Sequence, residues 1–285
     1  MADITAAMVK DLRERTGLGM MDCKKALVEA SGDTELAIEN LRKSSGMKAA
    51  KKAGRTAADG LIGHKVEGGV AVMVEVNCET DFAGRDGNFL GFVETVTNAV
   101  FDGKQTDIEA LLAAGIETTR EALVQKIGEN VAVRRAALFE GTVASYVHTN
   151  GKIGVLVKLE GGDEELGRDI AMHIAAVNPQ VVSGDDVPAD VIAKEKEIYV
   201  AQAADSGKPP EIVEKMVEGR IRKFLAEISL VEQAFVKDPD IKIGALLKKA
   251  DAKVVEFARF EVGEGIEVEQ VDFAEEVKRQ IGGDS

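Results

Sequence analysis

Two alternating apolar runs, each entered through a tight-turn dipeptide, constrain this fold more than any other feature. Val70, Val72, Val74 and Val76 follow Gly68-Gly69, and Ile153, Val155, Val157 and Leu159 follow Asn150-Gly151. Such dipeptides supply the positive φ angles of a hairpin turn, and side chains two apart lie on one face of a strand. Each run should therefore pair with the strand before it, Asp59–His64 in the first copy and Glu140–Tyr146 in the second. An apolar-periodic helix follows each run, at Phe89–Val100 and at 164–177, and Val131–Glu140 and Val254–Val262 read as third strands. The pattern predicts an internal duplication of α+β class, with two antiparallel three-stranded sheets, each covered on one face by helices.

Residues 5–45 read as three short helices. Thr5 and Asp33 are placed to cap the first and third, and Gly17 and Gly32 to end the first and second, while 46–58, rich in Lys, Ala and Gly, reads as a solvated linker. Residues 180–229 are helical by composition. Ser206-Gly207-Lys208-Pro209-Pro210 breaks this stretch, so an antiparallel helical hairpin is predicted, an arm that could meet another protein or a second copy of the chain. Val268–Ile281 predicts a final helix. The expected units are 1–55, a three-helix module with linker; 56–140, repeat one; 141–179 with 230–264, repeat two; 180–229, the hairpin; and 265–285, a C-terminal module.

The chain of 285 residues carries a net charge of -14, although residues 1–55 hold 11 Lys and Arg against 8 Asp and Glu. An acidic body argues against nucleic acid as the main partner. No run approaches a membrane span, and Met1–Thr5 lacks a basic segment followed by an apolar one, so a cytoplasmic protein is expected. The only cysteines, Cys23 and Cys78, have no metal or disulfide spacing and are expected to be reduced thiols. Phosphate-binding, zinc-protease and nucleophile-elbow motifs are missing, and the histidines are scattered, with His173 read as a packed helix residue. This composition points to binding surfaces, with no cofactor of the chain's own. A structural adaptor, or an enzyme hidden between the repeats, are the competing classes.

The first alternating run ends in Asn77-Cys78-Glu79-Thr80-Asp81-Phe82-Ala83-Gly84-Arg85. A large apolar residue among polar ones, at the end of a strand, either turns back into its own core or stands out as a wedge for a partner protein. Pattern alone favours the core, since most phenylalanines are buried.

In the N-terminal segment, Gly17-Leu18-Gly19-Met20-Met21, with Ala26-Leu27 and Gly32-Asp33, resembles the ubiquitin-associated three-helix fold. The whole chain resembles the elongation factor Ts family, bacterial guanine-nucleotide exchange factors for elongation factor Tu. The resemblance rests on Leu12–Gly17 with Met20–Leu27, on Val76–Phe82, on Gly207–Pro209, on Glu214–Arg220 and on Phe260–Gly265. It implies that Thr80, Asp81 and Phe82 enter the partner's GTP-binding domain near its magnesium and phosphate site. It also implies contacts from Arg13, Met20 and Met21, from His148, from Phe235 and Val236, and from Phe273 and Val277 of the last helix. Nucleotide and Mg2+ would belong to the partner. The family usually continues Phe-Val-Ala-Lys, whereas this chain has Ala83-Gly84-Arg85 after Phe82. Less apolar bulk beside Phe82 and a looser backbone at Gly84 are therefore expected.

Overall fold

A computed structural model describes residues 4–204 and 209–267. Three helices come first, α1 (Ala6–Thr16), α2 (Met20–Glu29) and α3 (Thr34–Lys52). Thr5 accepts from Met8 N and Asp33 from Leu36 N, and Gly17 closes α1 in the left-handed region at φ 67°. Leu12, Cys23, Leu27 and Ala37 form the buried centre of this bundle. The linker expected at 46–58 is a correction: α3 continues through 46–52. Met47–Lys52 contains good helix formers, and Ala49 is buried in the core of the next unit, so tertiary packing keeps the helix going past Gly46.

The first repeat comprises β1 (Asp59–Glu67), β2 (Val70–Cys78), α4 (Asp81–Gly84), α5 (Gly87–Gly103), α6 (Ile108–Leu111), a π-helical turn at Leu112–Ile116, α7 (Glu117–Ile127) and β3 (Val131–Glu140). The second runs through β4 (Thr142–Val147), β5 (Ile153–Glu160), α8 (Glu164–Val177), α9 (Ala189–Ala204), α10 (Pro210–Ile228), β6 (Ala234–Phe235), β7 (Asp238–Lys242), α11 (Ile243–Lys249) and β8 (Lys253–Glu261). Two antiparallel sheets result, β1-β2-β3 and β4-β5-β8, with a small β6-β7 ribbon beside the second. The fold is α+β.

The duplication extends to the register. Val70 faces Glu140 in the first sheet and Ile153 faces Glu261 in the second. Each ladder is then interrupted at the same step along its central strand, between Glu75 and Val76 and between Lys158 and Leu159. A bulge bends and twists the strand that carries the extra residue, so both sheets curve at equivalent places.

Val72, Val74 and Val76 pack against Phe89, Phe92 and Val96 of α5, while Val155 and Val157 pack against Ile170 and Ile174 of α8. The opposite faces of the two sheets pack on each other through Ile62, Ala71, Met73 and Leu156. Strand β2 is thus buried on both faces, which explains why the residues between its valines are Ala71 and Met73. Glu75, also fully buried, accepts from Arg134 at 3.0 Å, Arg135 at 2.6 Å, Asn77 at 3.0 Å and Gly263 N at 2.9 Å. Burial alone would raise its pKa, but these hydrogen bonds outweigh that and hold the carboxyl below its ordinary value.

In the inserted segment, Arg220 of α10 donates to Gln202 of α9 at 2.8 Å and lies over the ring of Tyr199. Pro210 occupies the first turn of α10, where its missing N–H costs nothing. The expected helix at Val268–Ile281, with Phe273 and Val277, lies outside the described residues.

Candidate functional site

Phe82 is 80% exposed. The core reading of this residue is therefore overturned, and the reason is visible in the duplicated frame. Counted along the chain from the equivalent residues Val70 and Ile153, Thr80 matches Asp163, and each caps the helix after its central strand. Asp163 accepts from Leu166 N at 2.8 Å and α8 proceeds without interruption. Thr80 accepts from Ala83 N at 3.3 Å, but the helix it starts is the single turn α4. Asp86 then returns to extended backbone and caps α5 through Asn88 N at 2.8 Å. The break leaves Phe82 on an isolated turn instead of the buried face of a long helix.

The turn is held from below and from the side. Ala83 is buried in the core of the first repeat, so its side chain does not stand beside the exposed ring as expected. Gly84 is also buried and helical, against Cys78 and Asp59, and the looseness expected of it is not what its surroundings show. The Cys78 thiol donates to Thr80 O at 3.2 Å. Burial first, then the charges of Asp59 and Glu129, push its pKa up to about 12, so it stays protonated and unreactive near neutral pH. Arg85 pairs with Asp81 at 2.8 Å along the turn.

The carboxylate of Glu129 accepts from Glu79 N at 3.1 Å, Thr80 N at 3.0 Å and Thr80 Oγ1 at 2.7 Å. Glu79 in return accepts from Asn130 N at 2.6 Å. Sequence reading missed Glu129. Its partners are 49 and 50 positions away, and an acidic residue after a helix C-cap glycine carries no local sign of such a role.

Two other predicted regions converge on this rim. Lys126 Nζ fills the space where a Cβ on Gly17 would fall and donates to Asn88 Oδ1 at 2.6 Å, which links the α1–α2 corner to the start of α5. Met20 and Met21, at that corner, are 59% and 75% exposed, and Arg13 is exposed on α1. Lys152, on the hairpin loop that carries His148, donates to Gly60 O at 2.7 Å and pairs with Asp59, beneath the Phe82 turn. His148 is exposed and its Nδ1 lies 3.1 Å from Tyr146 Oη.

The family is decided by comparison with known proteins. Residues 79–264 match the family model described as Elongation factor TS. The chain belongs to the elongation factor Ts family. An elongation factor Ts of Hahella chejuensis is 67% identical over 286 residues, covering 99% of this chain and 100% of that protein. Those of Saccharophagus degradans and Cellvibrio japonicus are 61% and 60% identical, with at least 98% of each chain covered.

For an elongation factor Ts chain, the region of Phe235 and Val236 divides. Phe235 is buried in the second repeat, 6.2 Å from the His173 ring, and only Val236 is exposed. A direct contact by the Phe235 side chain, as the resemblance implied, conflicts with that burial. His173 is itself a packed helix residue, as expected. Its Nδ1 accepts from Val236 N at 3.2 Å and Nε2 faces Gln233 Oε1 at 3.0 Å, and burial lowers its pKa, so the ring is neutral with its proton on Nε2.

Among the described residues no group of three or more His, Cys, Asp and Glu is placed to hold a metal, and no helix is long and apolar enough to cross a membrane. A recess of about 1000 Å3, lined by Val182, Asp186, Val231 and Lys248, shares no residue with the Phe82 turn.

Proposed function

We propose that this chain binds elongation factor Tu carrying GDP and promotes GDP release, with Asp81 and Phe82 entering near the partner's magnesium and phosphate site so that GTP can load. Membership of the elongation factor Ts family supports the activity, and the exposure of Phe82 on a held turn carries the mechanism. No bond is made or broken by the factor. Its cofactors are none, since nucleotide and Mg2+ are the partner's. Insertion that distorts the nucleotide site weakens nucleotide binding, and bound nucleotide weakens the factor's grip by the same free energy.

Burying one phenylalanine supplies about 1.5 to 3 kcal/mol, one or two decades at about 1.4 kcal/mol per tenfold. A larger acceleration needs other contacts. Arg13, Met20 and Met21 on a ubiquitin-associated-like module, His148 on the second hairpin, Val236, and Phe273 with Val277 are the residues assigned to them. The units at 1–55, 56–140, 141–179 with 230–264, 180–229 and 265–285 are the working domains, and α9 with α10 forms a hairpin arm open to a second copy of the chain.

Stopped-flow release of a fluorescent guanine nucleotide from elongation factor Tu tests this reading. Wild-type factor should accelerate release and Phe82→Ala should reduce that acceleration by about one to two decades. Binding without any acceleration by the wild type would favour a structural adaptor, and an undiminished Phe82→Ala rate would remove the wedge.

A further inference from the structure

The turn that carries Phe82 cannot hold itself. It has four helical residues, and an isolated helical turn is unstable in water because nucleation fixes several dihedrals for one hydrogen bond. In the second repeat the equivalent turn is the start of a helix of 14 residues and needs no outside support. In the first repeat the helix breaks after one turn, and the Glu129 carboxylate takes up the freed strand end instead.

We propose that Glu129 is the positioning residue of the Phe82 wedge. This rests on the reading that Phe82 acts by insertion. Glu129 accepts two backbone N–H groups and one hydroxyl from Glu79 and Thr80, and Thr80 Oγ1 in turn accepts from Ala83 N, the residue after Phe82. One carboxylate thereby fixes the Thr80 rotamer, the entry of the chain into the turn, and the direction in which the ring leaves it. The Thr80 hydroxyl serves as donor and acceptor at once, which valine cannot do and serine can.

The clasp also reaches the N-terminal module. Glu79 accepts from Asn130 N and lies 3.5 Å from Arg55 Nη1, and Asn130 Nδ2 donates to Arg55 O at 2.8 Å. The residues just past α3 are thus bound to Asn130, the neighbour of Glu129, and to Glu79, the residue before Thr80. A partner engaging both the module and Phe82 meets them in a preset relation, and the ordering cost of binding falls accordingly.

The test measures stimulated nucleotide release from elongation factor Tu against factor concentration, so that maximal rate and half-saturation are separated. Glu129→Ala should lower the maximal rate about tenfold, the worth of one charge-assisted hydrogen bond, with a smaller change in half-saturation. Glu129→Gln, whose carbonyl still accepts, and Thr80→Ser should recover most of it, whereas Thr80→Val should match Glu129→Ala. In a Phe82→Ala background Glu129→Ala should cost nothing further, because there is no ring left to aim.

An equal loss in both backgrounds would make Glu129 a general structural residue and overturn the proposal. So would a full rate in Glu129→Ala with Phe82→Ala impaired. If Phe82→Ala is itself unimpaired, the wedge reading is what fails. Glu129→Gln keeps the proposal open to refutation if Glu129→Ala does not fold, since a folded Gln variant as slow as Thr80→Val would contradict acceptance by the side-chain carbonyl.

Discussion

Glu75 and Arg135 meet at 2.6 Å across β2 and β3, beside the bulge, and the equivalent pair in the second sheet, Lys158 and Glu256, meets at 3.3 Å with the charges exchanged. The geometry of the duplicated sheet is kept while the sign is reversed. The two pairs differ in burial: Glu75 is fully buried where the sheets meet, whereas both members of the second pair are partly exposed. An exposed pair contributes at most about 1 kcal/mol. Removing one member of a buried, hydrogen-bonded pair leaves the other charge uncompensated and costs several times more.

Replacing Glu75 by alanine should therefore destabilise the protein by about 3 to 5 kcal/mol, and Lys158→Ala by less than about 1 kcal/mol. Denaturant unfolding of the two variants checks this. Equal effects would mean that the buried cluster is not what joins the sheets.

Acid should act through the same carboxylate. The folded pKa of Glu75 lies below its ordinary value, so its contribution is complete above the unfolded pKa and is lost as pH falls through the folded one. His173 adds a loss at higher pH. Its folded pKa is lowered by burial, so the unfolded chain binds the proton first and stability declines once pH drops below the ordinary histidine value. Urea midpoints across that range should fall in wild type and fall less in His173→Gln. A flat wild-type profile would contradict the neutral buried ring.

Phe82→Ala should leave the unfolding midpoint unchanged within about 0.5 kcal/mol, because the ring is exposed and carries no core packing. A loss of 2 kcal/mol or more, in the range of burying a phenylalanine, would show that the ring packs in solution.

Gly84→Ala should stabilise. A Cβ there would meet Asp59 Oδ1 at 3.5 Å and Cys78 Sγ at 3.7 Å, which is ordinary contact, and the backbone is already helical. Restricting the unfolded chain then gives about 0.4 to 1 kcal/mol. A lower melting temperature would mean that the pocket under the turn is tighter than these distances.

Gly154→Ala should do the opposite. Its Cβ would fall 2.6 Å from Ile62 Cγ2 and 2.7 Å from Met73 Sδ, between the two sheets, so about 1 to 3 kcal/mol of overpacking is expected. Calorimetry showing an unchanged midpoint would argue that the sheets can separate there without cost.

The strands, the helices that follow them and the caps were legible because their causes are local. Asp33 before α3, Thr5 before α1 and Gly17 after it each act within one turn of their own position. Residues 104–130, which supply α6, α7 and Glu129, gave no comparable signal. Gly115 sits there at φ 116°, outside helical geometry, within a π-helical turn between the two helices. The linker expected at 46–58 failed over 46–52 for a related reason, since the helix formers there continue α3 where Ala49 packs in the core of another unit.

By itself, the sequence determined that this chain is a duplicated α+β protein with a three-helix start, because strand alternation, turn dipeptides and helix caps act over a few residues. It also placed Thr80-Asp81-Phe82 at the end of a strand. Only the tertiary structure decided that Phe82 faces outward while Ala83 faces in, that the two sheets pack on each other around Glu75, and that Phe235 is buried while Val236 is exposed. Those outcomes depend on which distant surface arrives to cover a side chain or accept its hydrogen bond, and no local pattern encodes the meeting of Thr80 with Glu129.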